Sequence, residues 1–324
     1  MIDKVDLEHA VAELRGVVTH TPVHLDTDTS RVAGQPVWLK LENLQQTGSF
    51  KYRGASLFIR ALPKDVQVVA PSAGNHAQAV AAAATQWGHH ATVVLPESVS
   101  ATKRVACERY GAKVVLAGTT SDDRQRAAAQ IAAELGAVIV PPFDHPTIIA
   151  GQATVGCEIL EDVPDVATIV VPVGGGGLAA GVCAAVRLTR PEVRVVGVEL
   201  VTNPKLGRAL AAGRPVQTDE VSALASALVA TSVGVVPFPY LRQWLDEVVV
   251  VDDSGVREAM DHLVNRCKVV AEPSGAAALA AVRMGLIKLH GPVCVIISGG
   301  NVSHTELAEM LRVVGDERHP AAAG

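Results

Sequence analysis

Thr168-Ile169-Val170-Val171-Pro172-Val173-Gly174-Gly175-Gly176-Gly177-Leu178-Ala179-Ala180-Gly181-Val182-Cys183-Ala184-Ala185-Val186 is the stretch whose reading decides the fold. Its first six residues read as a buried strand, the four glycines as the turn that follows, and residues 178–186 as a helix. A strand that feeds a glycine loop and then a helix aims several backbone N–H groups at one point, beside the positive end of the helix dipole. That arrangement suits a phosphate. A tight turn needs one or two glycines rather than four.

Working outward, similar β-rich runs recur at 66–70, 91–95, 113–116, 137–140, 193–198 and 293–297, with helix-forming stretches at 77–87, 100–110 and 121–135 between them. Continuous apolar strands alternating with helices predict an α/β fold whose parallel sheets are covered on both faces. The chain of 324 residues is long enough for about two domains of ~150 residues. Aromatic residues make up only 3%, so the core has to be built mainly from Ala, Val, Leu and Ile.

Composition excludes several classes of function. With 28 basic against 33 acidic residues and no cluster of Lys or Arg, nothing points to nucleic acid. No apolar run approaches the ~20 residues that span a bilayer, and the N-terminus lacks a basic-then-apolar secretion signal, so a soluble cytoplasmic protein without a membrane partner is expected. The five cysteines, Cys107, Cys157, Cys183, Cys267 and Cys294, are odd in number and scattered. They fit neither a disulfide framework nor a zinc site, and buried free thiols are expected. His89 and His90 read as packing or solvated residues near a strand start, and the tail after Arg318 as frayed.

Ligands in such sheets collect in loops beyond the C-terminal ends of the strands. Three loops qualify: Pro71-Ser72-Ala73-Gly74-Asn75-His76, the glycine run at 174, and Ser298-Gly299-Gly300-Asn301. A fourth segment, Glu42-Asn43-Leu44-Gln45-Gln46-Thr47-Gly48-Ser49-Phe50-Lys51-Tyr52-Arg53-Gly54-Ala55, supplies an amine, Lys51, at the start of a helix.

These loops, with Pro142-Phe143-Asp144-His145-Pro146, Ala150-Gly151-Gln152 and Glu272-Pro273-Ser274-Gly275-Ala276, resemble in chain order the pyridoxal-phosphate threonine dehydratase and serine racemase family. The resemblance covers about residues 5 to 315 and implies fold type II. A large domain of residues 1–66 plus 148–324 would carry an inserted small domain of residues 67–147, with the active site between them. It also implies a homodimer, a small amino-acid substrate and pyridoxal 5'-phosphate as cofactor.

Carried over by position, Lys51 is similar to the Schiff-base lysine and Phe50 to its neighbour in the cofactor pocket. Gly174, Gly175, Gly176, Gly177 and Leu178 resemble the phosphate cradle. Asn75 resembles the residue that bonds the ring hydroxyl, and Ser298 the one that faces the pyridine nitrogen. Ser72, Ala73, Gly74, Asn75 and His76 resemble the loop that holds the substrate carboxylate. Each role is sound chemically: an amine in a dry pocket loses its proton readily and attacks an aldehyde. A turn before a helix can bind a carboxylate as the glycine loop binds phosphate. A neutral hydroxyl facing the ring nitrogen, unlike a carboxylate, does not keep it protonated, which favours prompt loss of a β-substituent. The resemblance thus implies loss of water from a β-hydroxy amino acid, L-threonine or L-serine, to give a 2-oxo acid and ammonia.

Four departures refine this. Ala73 stands where family racemases carry a serine, which supports elimination over racemisation. Lys205 stands where they have an aspartate that, with a residue matching Glu199, holds a divalent cation, so no metal is assigned. The sequence runs only to residue 324, soon after Asn301, so the regulatory domain of biosynthetic threonine dehydratases is not expected. Ser226-Ala227-Leu228 replaces the family's Ala-Asp-Gly, which is expected to shift substrate preference.

The alternatives within the resemblance are an amino-acid racemase and a β-replacement synthase. From another class, Gly174-x-Gly176-x-x-Ala179 with Glu199 ending the next strand fits a nicotinamide oxidoreductase, but leaves Lys51 and the Ser298 loop unexplained. A catalytically idle binding protein on this scaffold is opposed by the intact Lys51.

Overall fold

The computed structural model describes residues 1–72 and 74–318, with residues 102 and 313–318 described by backbone alone. The expectations for Ala73 and for the tail after Arg318 lie outside the described residues. Among the described residues ten strands form two sheets. The strands are β1 (Val23–Leu25), β2 (Val37–Leu41), β3 (Val68–Pro71), β4 (Ala91–Leu95), β5 (Lys113–Leu116), β6 (Val138–Ile139), β7 (Thr168–Pro172), β8 (Arg194–Leu200), β9 (Glu247–Val251) and β10 (Val293–Ile297). One sheet has the order β1-β2-β10-β7-β8-β9 and is parallel except for β1; the other, β5-β4-β3-β6, is parallel throughout.

Both sheets are covered on both faces, as their continuous apolar strands require. Ile169 and Val171 of β7 and Cys294 and Ile296 of β10 enter one core cluster with the helices Pro146–Asp162 and Gly177–Thr189. Val170, Val293, Val295 and Ile297 enter another, with the alanine-rich helix Pro273–Arg283. In the smaller sheet Val68 and Ala70 face the helices Lys51–Arg60 and Asn75–Trp87, while Val69 faces the helix Ser121–Leu135. Small residues let backbones meet: a Cβ on Gly151 would lie 2.6 Å from the Gly54 Cα.

Several boundaries differ from the sequence reading. β3 begins at Val68 rather than 66, because the Val66 carbonyl accepts from His89 Nδ1 at 2.9 Å. That bond gives buried His89 its packing role. The helix expected from 77 begins at Asn75, which brings Asn75 and His76 into its first turn. β1, β2 and β9 went unread: β1 has three residues, and β2 carries Lys40 in the middle of its apolar run. Cys107, Cys183 and Cys294 are buried free thiols as expected, but Cys157 and Cys267 are only half-buried. Cys267 Sγ lies 3.5 Å from His262 Nε2, whose main partner is the Asp26 carboxylate at 2.7 Å.

Lys40 is fully buried, and so is Arg53. Arg53 donates to both oxygens of buried Glu42, at 2.7 and 2.8 Å, and to both oxygens of Glu158, at 2.6 and 2.8 Å. Lys40 Nζ pairs with Glu158 at 2.7 Å and Asp162 at 3.1 Å, and donates to the Thr21 carbonyl. Burial works against the charged form of Arg53, yet Glu42 and Glu158 outweigh it and leave its pKa raised. Replacing Arg53 with Met should therefore leave Glu42 buried without its cation, and Glu158 with Lys40 alone, and destabilise the protein by about 3–5 kcal/mol. Urea unfolding measures this, and a loss under about 1 kcal/mol would show that the network relaxes into solvent.

Candidate active site

Lys51 opens the helix Lys51–Arg60, and what precedes it fixes where it points. Thr47 takes φ +64° and Gly48 φ +73°, a left-handed turn that a β-branched residue adopts only under constraint. Asn301 Nδ2 supplies part of that constraint by donating to the Thr47 carbonyl at 2.7 Å, and the Gly300 amide donates to the Gly48 carbonyl at 2.9 Å. The Phe50 amide donates to the Ser298 carbonyl at 3.2 Å, and Ser49 bridges Gly299. The lysine turn and the loop after β10 are thus stitched together.

A cavity of about 460 Å³ opens at this seam, between the C-terminal ends of strands from both sheets. Phe50, Lys51, Ser72, Gly74, Asn75, His76, Gly174 through Gly177, Leu178 and Ser298 all line it. Ala227 and Leu228 line it too.

Half-buried Lys51 donates from Nζ to the Pro142 carbonyl at 2.6 Å, with the Phe50 and Phe143 ring centres 5.3 and 6.0 Å away. This dry setting brings its pKa down to about 8. Burial, and then the nearby Lys51 charge, holds buried His76 down to about 3. His76 is therefore a neutral imidazole, and since its Nε2 lies 2.9 Å from the Val140 carbonyl, which can only accept, Nε2 carries the proton.

Asn75 links three loops. Its Nδ2 donates to Glu272 Oε1 at 2.6 Å, and its Oδ1 accepts from Asn301 Nδ2 at 2.8 Å. Burial raises the Glu272 carboxyl to about 7, with the Asn75 bond opposing that rise. The Ser298 hydroxyl is buried, its protein contact a long 3.4 Å to the Ser274 carbonyl. Ser274 Oγ in turn accepts from the Ala227 amide at 3.0 Å.

The residues present fit a phosphate-bearing cofactor. A Cβ on Gly175 would lie 2.3 Å from the Phe143 ring, and one on Gly177 would lie 2.9 Å from the Phe143 Cβ. Gly176 has φ +95° and caps the helix Gly177–Thr189. Side chains are thereby excluded and the amides left bare: among the described residues no backbone carbonyl accepts from Gly174, Gly175, Gly176 or Gly177. Bare amides at a helix N-terminus are an anion site.

Glu199 does not fit a ribose partner. It is fully buried, and its carboxylate is taken by Lys205 Nζ at 3.1 Å and by the amides of Leu206 and Gly207. The oxidoreductase reading fails there.

The sequence reading missed Glu272, Ser274, Asn301 and Phe143 as cavity residues, although all lie in the segments that carried the resemblance. Lys103 and Arg124, on helices of the smaller sheet, also line the cavity and carried no local signal. Glu272 reads locally as a helix cap before Pro273. Its side chain makes no cap bond and turns to Asn75 instead.

Residues 14–299 match the family of pyridoxal-phosphate dependent enzymes. An L-threonine ammonia-lyase of Thermotoga maritima is 41% identical over 305 residues, which covers 93% of this chain and 76% of that protein. One from Geobacter sulfurreducens is 40% identical over 322 residues, covering 98% and 79%. Maize serine racemase superposes with a TM-score of 0.91 at 33% identity, covering 98% of this chain and 99% of that one. The threonine deaminase of T.th. gives 0.89 at 36%, covering 93% and 99%. With a bare-amide cradle and a desolvated lysine on one cavity, and a match across most of its length, the chain belongs to the pyridoxal-phosphate dependent enzymes and has their type II fold.

Proposed function

We propose that this enzyme removes water from L-threonine or L-serine and releases a 2-oxo acid and ammonia. The observation that carries the proposal is the placement of Lys51, its pKa lowered to about 8, in one cavity with the glycine run and with Ser72, Gly74, Asn75 and His76. The two relatives named L-threonine ammonia-lyase support it.

In this reading Gly174 through Leu178 would hold the phosphate, with the Ser298 hydroxyl and the Asn75 amide available to the polar groups of the ring. The turn at 72–76 binds the substrate carboxylate through its amides at the start of the helix Asn75–Trp87. Bound pyridoxal phosphate supplies the electron sink for the pair left at Cα. Lys51 Nζ takes the Cα proton, and its lowered pKa enlarges the share of neutral amine able to do so. The β-hydroxyl then leaves, the proton lost from Cα and the hydroxide together making up the water released, and hydrolysis of the product yields the oxo acid and ammonia. Ala73 offers no hydroxyl that could return a proton to the opposite face.

The large unit of residues 1–66 with 148–324 and the inserted unit 67–147 belong to the same reading, supported by the second sheet's four strands lying within 68–139. The helix Lys51–Arg60 spans this division, since Tyr52, Ala55 and Ile59 pack in the core of the smaller sheet. A cytoplasmic homodimer completes the reading; no helix among the described residues is long and apolar enough to cross a membrane.

Three outcomes are expected. Apoprotein should capture pyridoxal phosphate at a rate that rises about tenfold per pH unit and levels off above about pH 8, because the neutral amine is the nucleophile and its pKa is lowered. A rate still climbing at pH 10 would mean that Lys51 keeps an ordinary pKa. Borohydride reduction and peptide mapping should find the cofactor on Lys51, and Lys51→Ala should abolish turnover while circular dichroism stays native; cofactor on another lysine would refute the assignment. Incubation with L-serine or L-threonine should release oxo acid with negligible D-enantiomer in the remaining substrate. D-enantiomer formed at a rate comparable to the oxo acid would favour the racemase reading instead.

A further inference from the structure

Lys205 is a buried ammonium with no part in the reaction just described. Neither it nor Glu199 is exposed to solvent. It opens the helix Lys205–Ala212, the end at which the helix dipole disfavours a cation. Its Nζ has two partners, Glu199 Oε1 at 3.1 Å and the Val173 carbonyl at 2.9 Å. Glu199 explains how the charge is tolerated, since its carboxylate neutralises the ammonium and also accepts from the amides of Leu206 and Gly207. The same pair leaves no place for a divalent cation, because the ammonium already occupies the carboxylate and the carbonyl.

Val173 is the informative partner. It directly precedes the glycine run, and its own amide donates to the Val198 carbonyl at 2.8 Å. The residue is therefore held by β8 on one side and by Lys205 on the other. In a planar trans peptide the carbonyl and the following N–H point in opposite directions. Anchoring the Val173 carbonyl on Lys205 thus turns the Gly174 N–H away from Lys205, and Gly174 lines the cavity. Four consecutive glycines have little stiffness of their own, so an anchor at their first peptide sets where the run starts.

We infer that Lys205, held by Glu199, is a positioning residue for the phosphate cradle, anchoring the Val173 carbonyl and so aiming the first amide of the glycine run. The inference rests on reading Gly174 through Gly177 as that cradle. It is tested by titrating apoprotein with pyridoxal 5'-phosphate and, separately, with pyridoxal, which lacks the phosphate, and following absorbance. Lys205→Met removes the ammonium, and the double variant Lys205→Met/Glu199→Gln also removes the carboxylate that would otherwise be left buried and unpaired. In the folded double variant the phosphate-bearing ligand should bind about tenfold more weakly, about 1.4 kcal/mol, while pyridoxal binding changes by less than about twofold. Equal loss for both ligands would mark Lys205 as a general packing residue and overturn the inference, as would no loss for either. Wild-type protein that binds pyridoxal as tightly as its phosphate ester would refute the cradle itself, and the inference with it.

Discussion

The guanidinium of Arg53 is the constraint on which the rest of the site depends. A buried charge is tolerated only when it is paired and hydrogen-bonded, and Arg53 meets that condition through two bidentate contacts, to Glu42 and to Glu158. Glu42 follows β2, Glu158 lies on the helix Pro146–Asp162, and Arg53 sits two residues beyond Lys51 on the helix Lys51–Arg60. Satisfying one side chain therefore brings three segments into a single arrangement. Lys40 extends the network to Asp162, and an Arg53 displaced by a single helical position would strand the Glu42 carboxylate in the core. Lys51 inherits its orientation from a neighbour that does no chemistry.

A second chain of contacts, made of amides and one carboxyl, joins the two sheets across the cavity. Glu272 precedes a helix packed on the larger sheet, and Asn75 opens a helix packed on the smaller one. Asn301 closes the circuit by bonding both Asn75 and the strained Thr47 turn. The Lys51 turn, the helix start at Asn75 and the Ser298 loop are thus tied by side chains. Such a circuit restricts relative motion of the loops, at the entropic cost of ordering the Glu272, Asn75 and Asn301 side chains.

The fold was legible because its strands are continuous apolar runs. β4, β5 and β10 have the expected bounds, and the strand-glycine-helix unit at 168–186 is where the pattern placed it. β1 and β2 were not legible, since a three-residue edge strand has no period and a buried Lys40 breaks an apolar pattern, whereas β9, with four consecutive valines, was legible and went unread. Of the cavity, the backbone-driven parts were readable: glycine runs and loops after strands announce themselves locally. Glu272 and Asn301 act through partners some two hundred residues distant in sequence, and Lys103 and Arg124 sit on polar helices where a basic residue is ordinary. Such roles exist only after folding, when the two sheets bring their loops together.

The glycine run shows how packing and chemistry can impose the same demand. On one side Phe143, Leu241 and the Ala227 carbonyl leave no room for any side chain at Gly174 through Gly177. On the other, the amides have no backbone carbonyl to bond. A side chain at these positions would thus be destabilising even if phosphate were never bound, and a phosphate site there adds no strain beyond what the close packing already sets. Phe143 does both jobs, pressing against the glycines and lying beside the Lys51 amine. The aromatic wall that packs against the glycine run is also part of the dry surface that lowers the lysine pKa, so the glycine run and the amine share one packing arrangement.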